Sequence, residues 1–252
     1  MLRGFSMGAT LVTLLSLLSQ ARGEDPAAAQ RFRALLDAEW EYTLRESPTF
    51  ASHLGDKRYN DRWPDVSLAA IARRHEHQKE VLAQLDRIDP AQLGPADRLN
   101  YLLFRKEIEQ DLAQYPFRWF LVPLNQREGI QTENELADAL IFAKVKDYED
   151  WIARLRSLPA YLEQTTELMR TGAKERIVQP KVVMRRVPEQ IRKQIVDEPT
   201  ASLFYKPLKK FPADIPAAEQ ERLQKEAATA IREHVVPAYR RFARFFEEEY
   251  LP

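Results

Sequence analysis

There is no cysteine among the 252 residues, which excludes disulfides, thiolate metal ligands and cysteine nucleophiles. Glycine is scarce at 7 residues, and none falls into a phosphate-cradling G-x-x-x-x-G-K-[ST] loop or a G-x-S-x-G nucleophile turn. Histidine occurs four times, at His53, His75, His77 and His234, never as an i, i+4 pair around a glutamate. Net charge is also missing: 38 Lys+Arg balance 38 Asp+Glu, so the chain lacks the basic excess that draws proteins to nucleic acid or anionic lipid. No apolar run reaches the roughly 20 residues of a membrane span.

What is present is helix-forming sequence. Alternating strand patterns do not persist, and apolar residues recur at three- and four-residue intervals. The expected fold is all-α: an irregular multi-helix array with antiparallel helix hairpins, proline-kinked helices and long loops. Residues 1–21 differ from the rest. Arg3 precedes an apolar run from about Met7 to Leu18, and Ser19-Gln20-Ala21 places small residues at a cleavage site. This is a signal-peptide pattern. It predicts export to the periplasm or medium, no stable membrane insertion after cleavage, and one helical domain over 22–252.

Asp25-Pro26 reads as a helix start, with the helix ending near Glu46 because Ser47 precedes Pro48. The stretch Ser47 to Ser67 is rich in turn formers and is expected to be a long loop. Ser67 caps a second helix with Ile71, Gln78, Leu82 and Leu85 on one face. Gly94-Pro95 opens a third, with Leu99, Leu102, Leu103, Ile108 and Leu112 expected inside. Thr132 and Glu135 suggest a capping box opening a helix through about Ala143. The next helix starts near Asp147, is expected to kink or split at Pro159 and stops at Gly172. Pro188 implies a kink or a new start. Pro199, Pro207, Pro212 and Pro216 mark a long connection. A last helical region, interrupted by Pro237, buries Leu223, Ile231, Val235, Phe242, Phe245 and Phe246.

His75 and His77 in HEHQK are two residues apart, about 200° round a helix, so they cannot share a metal. They read as solvated helix surface, and His234, isolated beside Glu233, is assigned no metal. Carboxylates are plentiful but scattered. Glu39 sits beside Trp40 and Glu46 at the first helix end; Asp56 and Asp61 lie in the loop. A carboxylate buried among aromatics can serve as acid or base, but Arg45, Lys57, Arg58 and Arg62 favour salt bridges and turn caps here. The arginine–aromatic run from Tyr239 to Phe246 is followed by three glutamates and reads as an amphipathic helix, not a nucleic-acid contact.

The loop SPTFASHLGDKRYND resembles the near-N-terminal signature of the DUF885 family, a pattern like P-x-x-A-T-x-L-G-D-x-R-Y-[ND]-D. Pro48, Ala51, Leu54, Gly55, Asp56, Arg58, Tyr59 and Asp61 match, and Ser52 stands where threonine is common. Looser similarity runs through Pro123 to Gln131, Asp147 to Pro159, Met169 to Gly172 and the last helix. The resemblance implies a helical protein similar to zinc metallopeptidases, usually more than twice this long. Its metal site is of the form H-E-x-x-P-G-H-H with a further glutamate downstream. No such segment occurs in these 252 residues, so the zinc is implied only for a C-terminal half beyond this chain. No catalytic, metal or cofactor residue is assigned within it.

Two readings follow. In one, the chain is the N-terminal wall of the substrate cleft of such a peptidase, inert alone and touching peptide only through the whole protein. In the other, it is a self-standing exported peptide-binding or scaffold protein. Under both, Glu39, Asp56, Arg58 and Tyr59 are the candidate cleft or structural-loop residues. The apolar helix on which the sequence stops, Phe245 to Leu251, is expected either to dock on the core or to await a missing portion.

Overall fold

Residues 24–251 are described by a computed structural model; the signal-peptide pattern at 1–21 lies outside them. Every regular element among them is helical. Helix α1 spans Pro26–Glu46, with Asp25 Oδ1 accepting the Ala27 N–H at 2.9 Å. Proline at its start costs nothing because that position has no intrahelical N–H bond to lose. Helices α2 (Pro48–His53), α3 (Leu68–Leu85) and α4 (Pro95–Gln114) follow. A short α5 (Leu136–Ala139) leads to the 31-residue α6 (Val145–Glu175). Two short helices, α7 (Lys181–Met184) and α8 (Val187–Arg192), precede α9 (Ala217–Ala230) and α10 (Val236–Phe245).

Two apolar cores hold these elements. In the smaller, Phe32 and Leu35 of α1 meet Val81 and Leu85 of α3 and Tyr101 and Ile108 of α4. The Tyr101 hydroxyl donates to the Leu85 carbonyl at 3.1 Å, so a phenol can be buried without losing its hydrogen bond. The larger core is built around α6. Tyr148, Trp151, Leu155, Leu158 and Leu162 pack with Phe204, Leu223, Ile231, Tyr239, Phe242 and Phe246. The terminal aromatics are therefore inside: Phe242, Phe245 and Phe246 are buried, and Tyr250 and Leu251 pack against the same core.

The irregular all-α array is as expected, but several local expectations are corrected. Ser47 to Ser67 is not a plain loop, because α2 and a 3₁₀ turn over Lys57–Tyr59 give most of its backbone groups local partners. On α4 the buried line is Tyr101 and Ile108, with Phe104 and Leu112 beside it. Leu99, Leu102 and Leu103 face outward. This helix is apolar on two sides, and one stripe suffices for α1 and α3. Thr132 does not form a capping box; its hydroxyl donates to the Gly129 carbonyl at 3.0 Å, and 3₁₀ turns cover Ile130–Glu135. The capping carboxylate is Asp147, which accepts the N–H groups of Ala143 and Lys144, both at 2.9 Å.

Pro159 does not split α6; the long apolar face on either side is buried continuously and offsets the one backbone bond the ring removes. Gly172 does not end α6 either. It is needed because a Cβ there would lie 2.6 Å from the Ile177 carbonyl oxygen and 2.8 Å from that of Leu121. The stop comes at Arg176, which adopts a left-handed conformation with φ of 61°. Before Pro237 the chain takes a π turn over Ile231–Val235, a widened turn that accommodates a missing N–H.

Candidate functional site

Helices α1, α3 and α4 leave an open groove of about 750 Å³ on one side of the smaller core. Leu36, Phe104 and Ile108 give it an apolar floor, and Trp40 of α1 with Phe50 of α2 form its wall. Their rings meet edge to face, centroids 6.2 Å apart, and both remain about half exposed. Large aromatics that share an open wall offer stacking and cation–π surface to a ligand.

The polar lining is mainly acidic. Asp37, Glu39, Glu46, Glu107 and Asp111 line the groove against Arg74 and His77. His77 Nε2 lies 2.9 and 3.0 Å from the two Glu39 oxygens, and its ring stacks on Tyr42 at 3.6 Å. Burial and the neighbouring Glu46 push the Tyr42 phenol up from its ordinary pKa. Arg74 reaches Glu46 at 3.5 Å. The Asp111 carboxylate accepts the Gln78 amide at 3.0 Å and has no ion-pair partner among the described residues. Asp37 and Glu107 have no ion-pair partner among the described residues, so the groove carries uncompensated negative charge.

Of the residues singled out in the sequence, Glu39 lies in this groove, and Asp56, Arg58 and Tyr59 do not. Those three form a separate surface knot. Arg58 binds Asp56 through Nη2 at 2.6 Å and Glu41 through Nη1 at 2.7 Å, and its guanidinium lies 5.4 Å from the Tyr59 ring centroid. Arg58 holds the Asp56 carboxyl below the usual carboxylate range. Glu39 and Glu41 stand about 200° apart round α1, which is why the knot and the groove fall on different sides. His77, expected to be a solvated helix residue, instead bridges two helices; so does His75, whose ring stacks on Tyr115 at 3.6 Å. Their partners come from other helices, which a search within HEHQK does not reveal.

A third cluster lies where the segment after α1 meets α6. Arg154 is fully buried, and its Nη2 donates to Ser52 Oγ at 3.0 Å and to the Tyr59 carbonyl at 2.9 Å. Trp63 Nε1 donates back to the Arg154 carbonyl at 2.8 Å, and the Trp63 ring stacks on Tyr161 at 5.4 Å. Tyr161 in turn donates to Glu133 at 3.1 Å. Burial pushes the Glu133 carboxyl up to about 7, against the opposing pull of the Tyr161 hydroxyl, Arg154 and His53. Burial likewise pushes Arg154 down to about 10, which leaves it charged at any physiological pH. Glu133 sits in the polar-looking stretch Gln131-Thr132-Glu133-Asn134-Glu135, where nothing in the sequence signals its enclosure.

This third arrangement is a clasp: Arg154 Nη2, Ser52, the Tyr59 carbonyl, Trp63, Tyr161 and Glu133 are joined by internal hydrogen bonds, while Arg154 Nε and Nη1 are buried without a hydrogen-bond partner among the described residues. The groove offers open surface and unpaired negative charge, and its chemistry suits binding of a cationic chain with aromatic or aliphatic side groups. Among the described residues no three of His, Asp and Glu come together to hold a metal ion, and no helix is long and apolar enough to cross a membrane. A family described as bacterial protein of unknown function (DUF885) matches residues 48–252, well over half of the chain. No curated protein matches.

Proposed function

The chain belongs to the DUF885 family of bacterial proteins, and we propose that its helical body is a peptide-binding scaffold whose binding surface is the α1–α3–α4 groove. One observation carries the reading: half-exposed Trp40 and Phe50 share a groove with Asp37 and Glu107, which have no ion-pair partner among the described residues. An extended peptide bearing lysine or arginine beside an apolar residue complements both features. Its charge is attracted by Asp37, Glu107 and Asp111, and its apolar group covers the aromatic wall. Export to the periplasm or medium is part of the proposal and rests on the pattern at residues 1–21.

A second reading is favoured by the signature at Pro48 to Asp61. In it the same groove belongs to the substrate cleft of a longer zinc metallopeptidase, whose metal and water-activating base lie outside these 252 residues.

Calorimetric titration of the chain with Ala-Lys-Phe-Arg-Leu-Ala and with Ala-Glu-Phe-Glu-Leu-Ala tests the binding claim. The basic peptide is expected to bind, more weakly as salt rises, and the acidic one not to. Equal affinity for the two peptides would sink it. The size of the native product separates the two readings: the scaffold reading expects a protein about as long as this chain, and the peptidase reading one about twice as long that cleaves the basic peptide when loaded with zinc.

A further inference from the structure

A second concave site lies on the opposite core, where the connector after α5 meets the proline-rich segment before α9. It encloses about 410 Å³, lined by Ala137, Phe142, Tyr148, Phe211 and the prolines 207 and 212, with Lys206, Lys210 and Asp138 at its edge. Three aromatic rings form a continuous wall: Phe142 to Tyr148 at 5.0 Å and Tyr148 to Phe211 at 4.6 Å. Tyr148 is the buried middle of this wall, whereas Phe142 and Phe211 each keep part of their surface open.

The wall is held from behind. Phe142 meets Trp151 edge to face at 6.2 Å. Lys57 ties down the segment beside Phe142 through the Ile141 carbonyl at 3.0 Å and Asp147 at 2.7 Å. The Tyr148 hydroxyl donates to the Lys210 carbonyl at 3.4 Å, which sets the backbone that carries the lysine. Of the two cations at the rim, Lys206 is engaged by Asp138. Lys210 has no ion-pair partner among the described residues. An apolar, aromatic slot with one uncommitted ammonium at its mouth is complementary to a flat ring that carries a single negative charge two or three bonds away.

We propose that this slot binds an aromatic carboxylate, with the ring against Phe142 and Phe211, which Tyr148 backs, and the carboxylate paired with Lys210. Such a group is supplied by a small aryl-alkanoic acid or by the C-terminal residue of a peptide ending in phenylalanine or tyrosine. The site is separate from the α1–α3–α4 groove and does not depend on that groove's binding anything.

The probe is 3-phenylpropionate, titrated into the ¹⁵N-labelled chain and followed by amide chemical shifts. Shifts are expected at Ala137 to Phe142 and Lys206 to Pro212's neighbours, with 3-phenylpropanamide about ten-fold weaker, the factor typical of one charged hydrogen bond. Lys210→Glu is expected to abolish the preference for acid over amide while leaving the spectrum folded, because Lys210 is exposed and unpaired. Phe211→Ala is expected to weaken both probes. No saturable shifts in this region, equal affinity for acid and amide, or an unchanged preference in Lys210→Glu would overturn the assignment. The tripeptide Gly-Gly-Phe, free and C-terminally amidated, then distinguishes the source. Tighter binding of the free tripeptide than of phenylpropionate identifies a peptide terminus, and the reverse order identifies a small acid; either order supports the site.

Discussion

Trp63 and Arg154 hold each other at two points. The indole N–H donates to the Arg154 carbonyl at 2.8 Å, and the Arg154 guanidinium carbon lies 5.3 Å from the Trp63 ring centroid. Because Arg154 also binds Ser52 and the Tyr59 carbonyl, one α6 side chain fastens both ends of the segment that carries the family signature. This explains why a turn-rich stretch holds so much aromatic surface: it is the joint between the two cores. Trp63→Ala is expected to destabilise the fold by about 3–5 kcal/mol, the range for removing a buried tryptophan. Arg154→Ala is expected to cost about 2–4 kcal/mol, chiefly through the cavity left by a fully buried side chain and the loss of its bonds to Ser52 and the Tyr59 carbonyl. In urea titrations the double variant should lose less than the two single losses added, by about 1–2 kcal/mol, because the residues share one contact.

Glu133 gives stability a defined pH dependence. Its folded-state pKa of about 7 stands above the ordinary 4.5, so between these values the folded chain holds a proton that the unfolded chain releases. The contribution is fully present below about 4.5 and is lost as pH rises through 7. At roughly 1.4 kcal/mol per pH unit the full loss is at most about 3.5 kcal/mol, and partial solvent contact lowers it. Glu133→Gln should flatten this part of the profile. Denaturation midpoints at pH 4.5, 6 and 8 check it, and a wild-type stability that rises over that window by this group's effect would contradict it.

Gly172 reverses the usual sign of a helix substitution. Gly→Ala inside a helix normally gains up to about 1 kcal/mol. Here the added methyl meets two backbone carbonyl oxygens at 2.6 and 2.8 Å, which cannot move aside as a side chain would. Gly172→Ala is expected to lose about 1–3 kcal/mol, measurable as a lowered thermal midpoint.

Much of this fold was legible in sequence because it is local. Asp25, Ser67 and the Gly94-Pro95 pair mark helix starts by groups within three residues of the boundary. The features that were not legible depend on distant partners. Leu99, Leu102 and Leu103 have the right spacing for a buried stripe, but Tyr101 and Ile108 make an equally good one, and only the docking of α1 and α3 chooses. Gly172 has the composition of a helix end, yet the approach of Leu121 from another segment is what requires it. Glu39 was identifiable beside Trp40; its partner His77 was not, because 38 residues separate them. The Glu133 environment is supplied by Tyr161 and Arg154 from the middle of α6.

Trp40 separates binding from folding. It is half exposed and contacts Phe50 at its edge, so Trp40→Ala should change stability by less than about 1 kcal/mol. If the aromatic wall receives a ligand, the same substitution weakens the basic hexapeptide about ten-fold or more, as removal of a central aromatic anchor does. Chemical denaturation and calorimetry on one preparation give both numbers.

The most direct test of the account reverses the groove's charge without touching its walls. Asp37→Lys combined with Glu107→Lys replaces two groove carboxylates that have no ion-pair partner among the described residues, and the variant should fold like the wild type. Titrated with Ala-Lys-Phe-Arg-Leu-Ala, it should bind at least ten-fold more weakly than the wild type, and Ala-Glu-Phe-Glu-Leu-Ala should gain affinity. An unchanged preference for the basic peptide would show that the α1–α3–α4 groove is not where this chain holds its ligand.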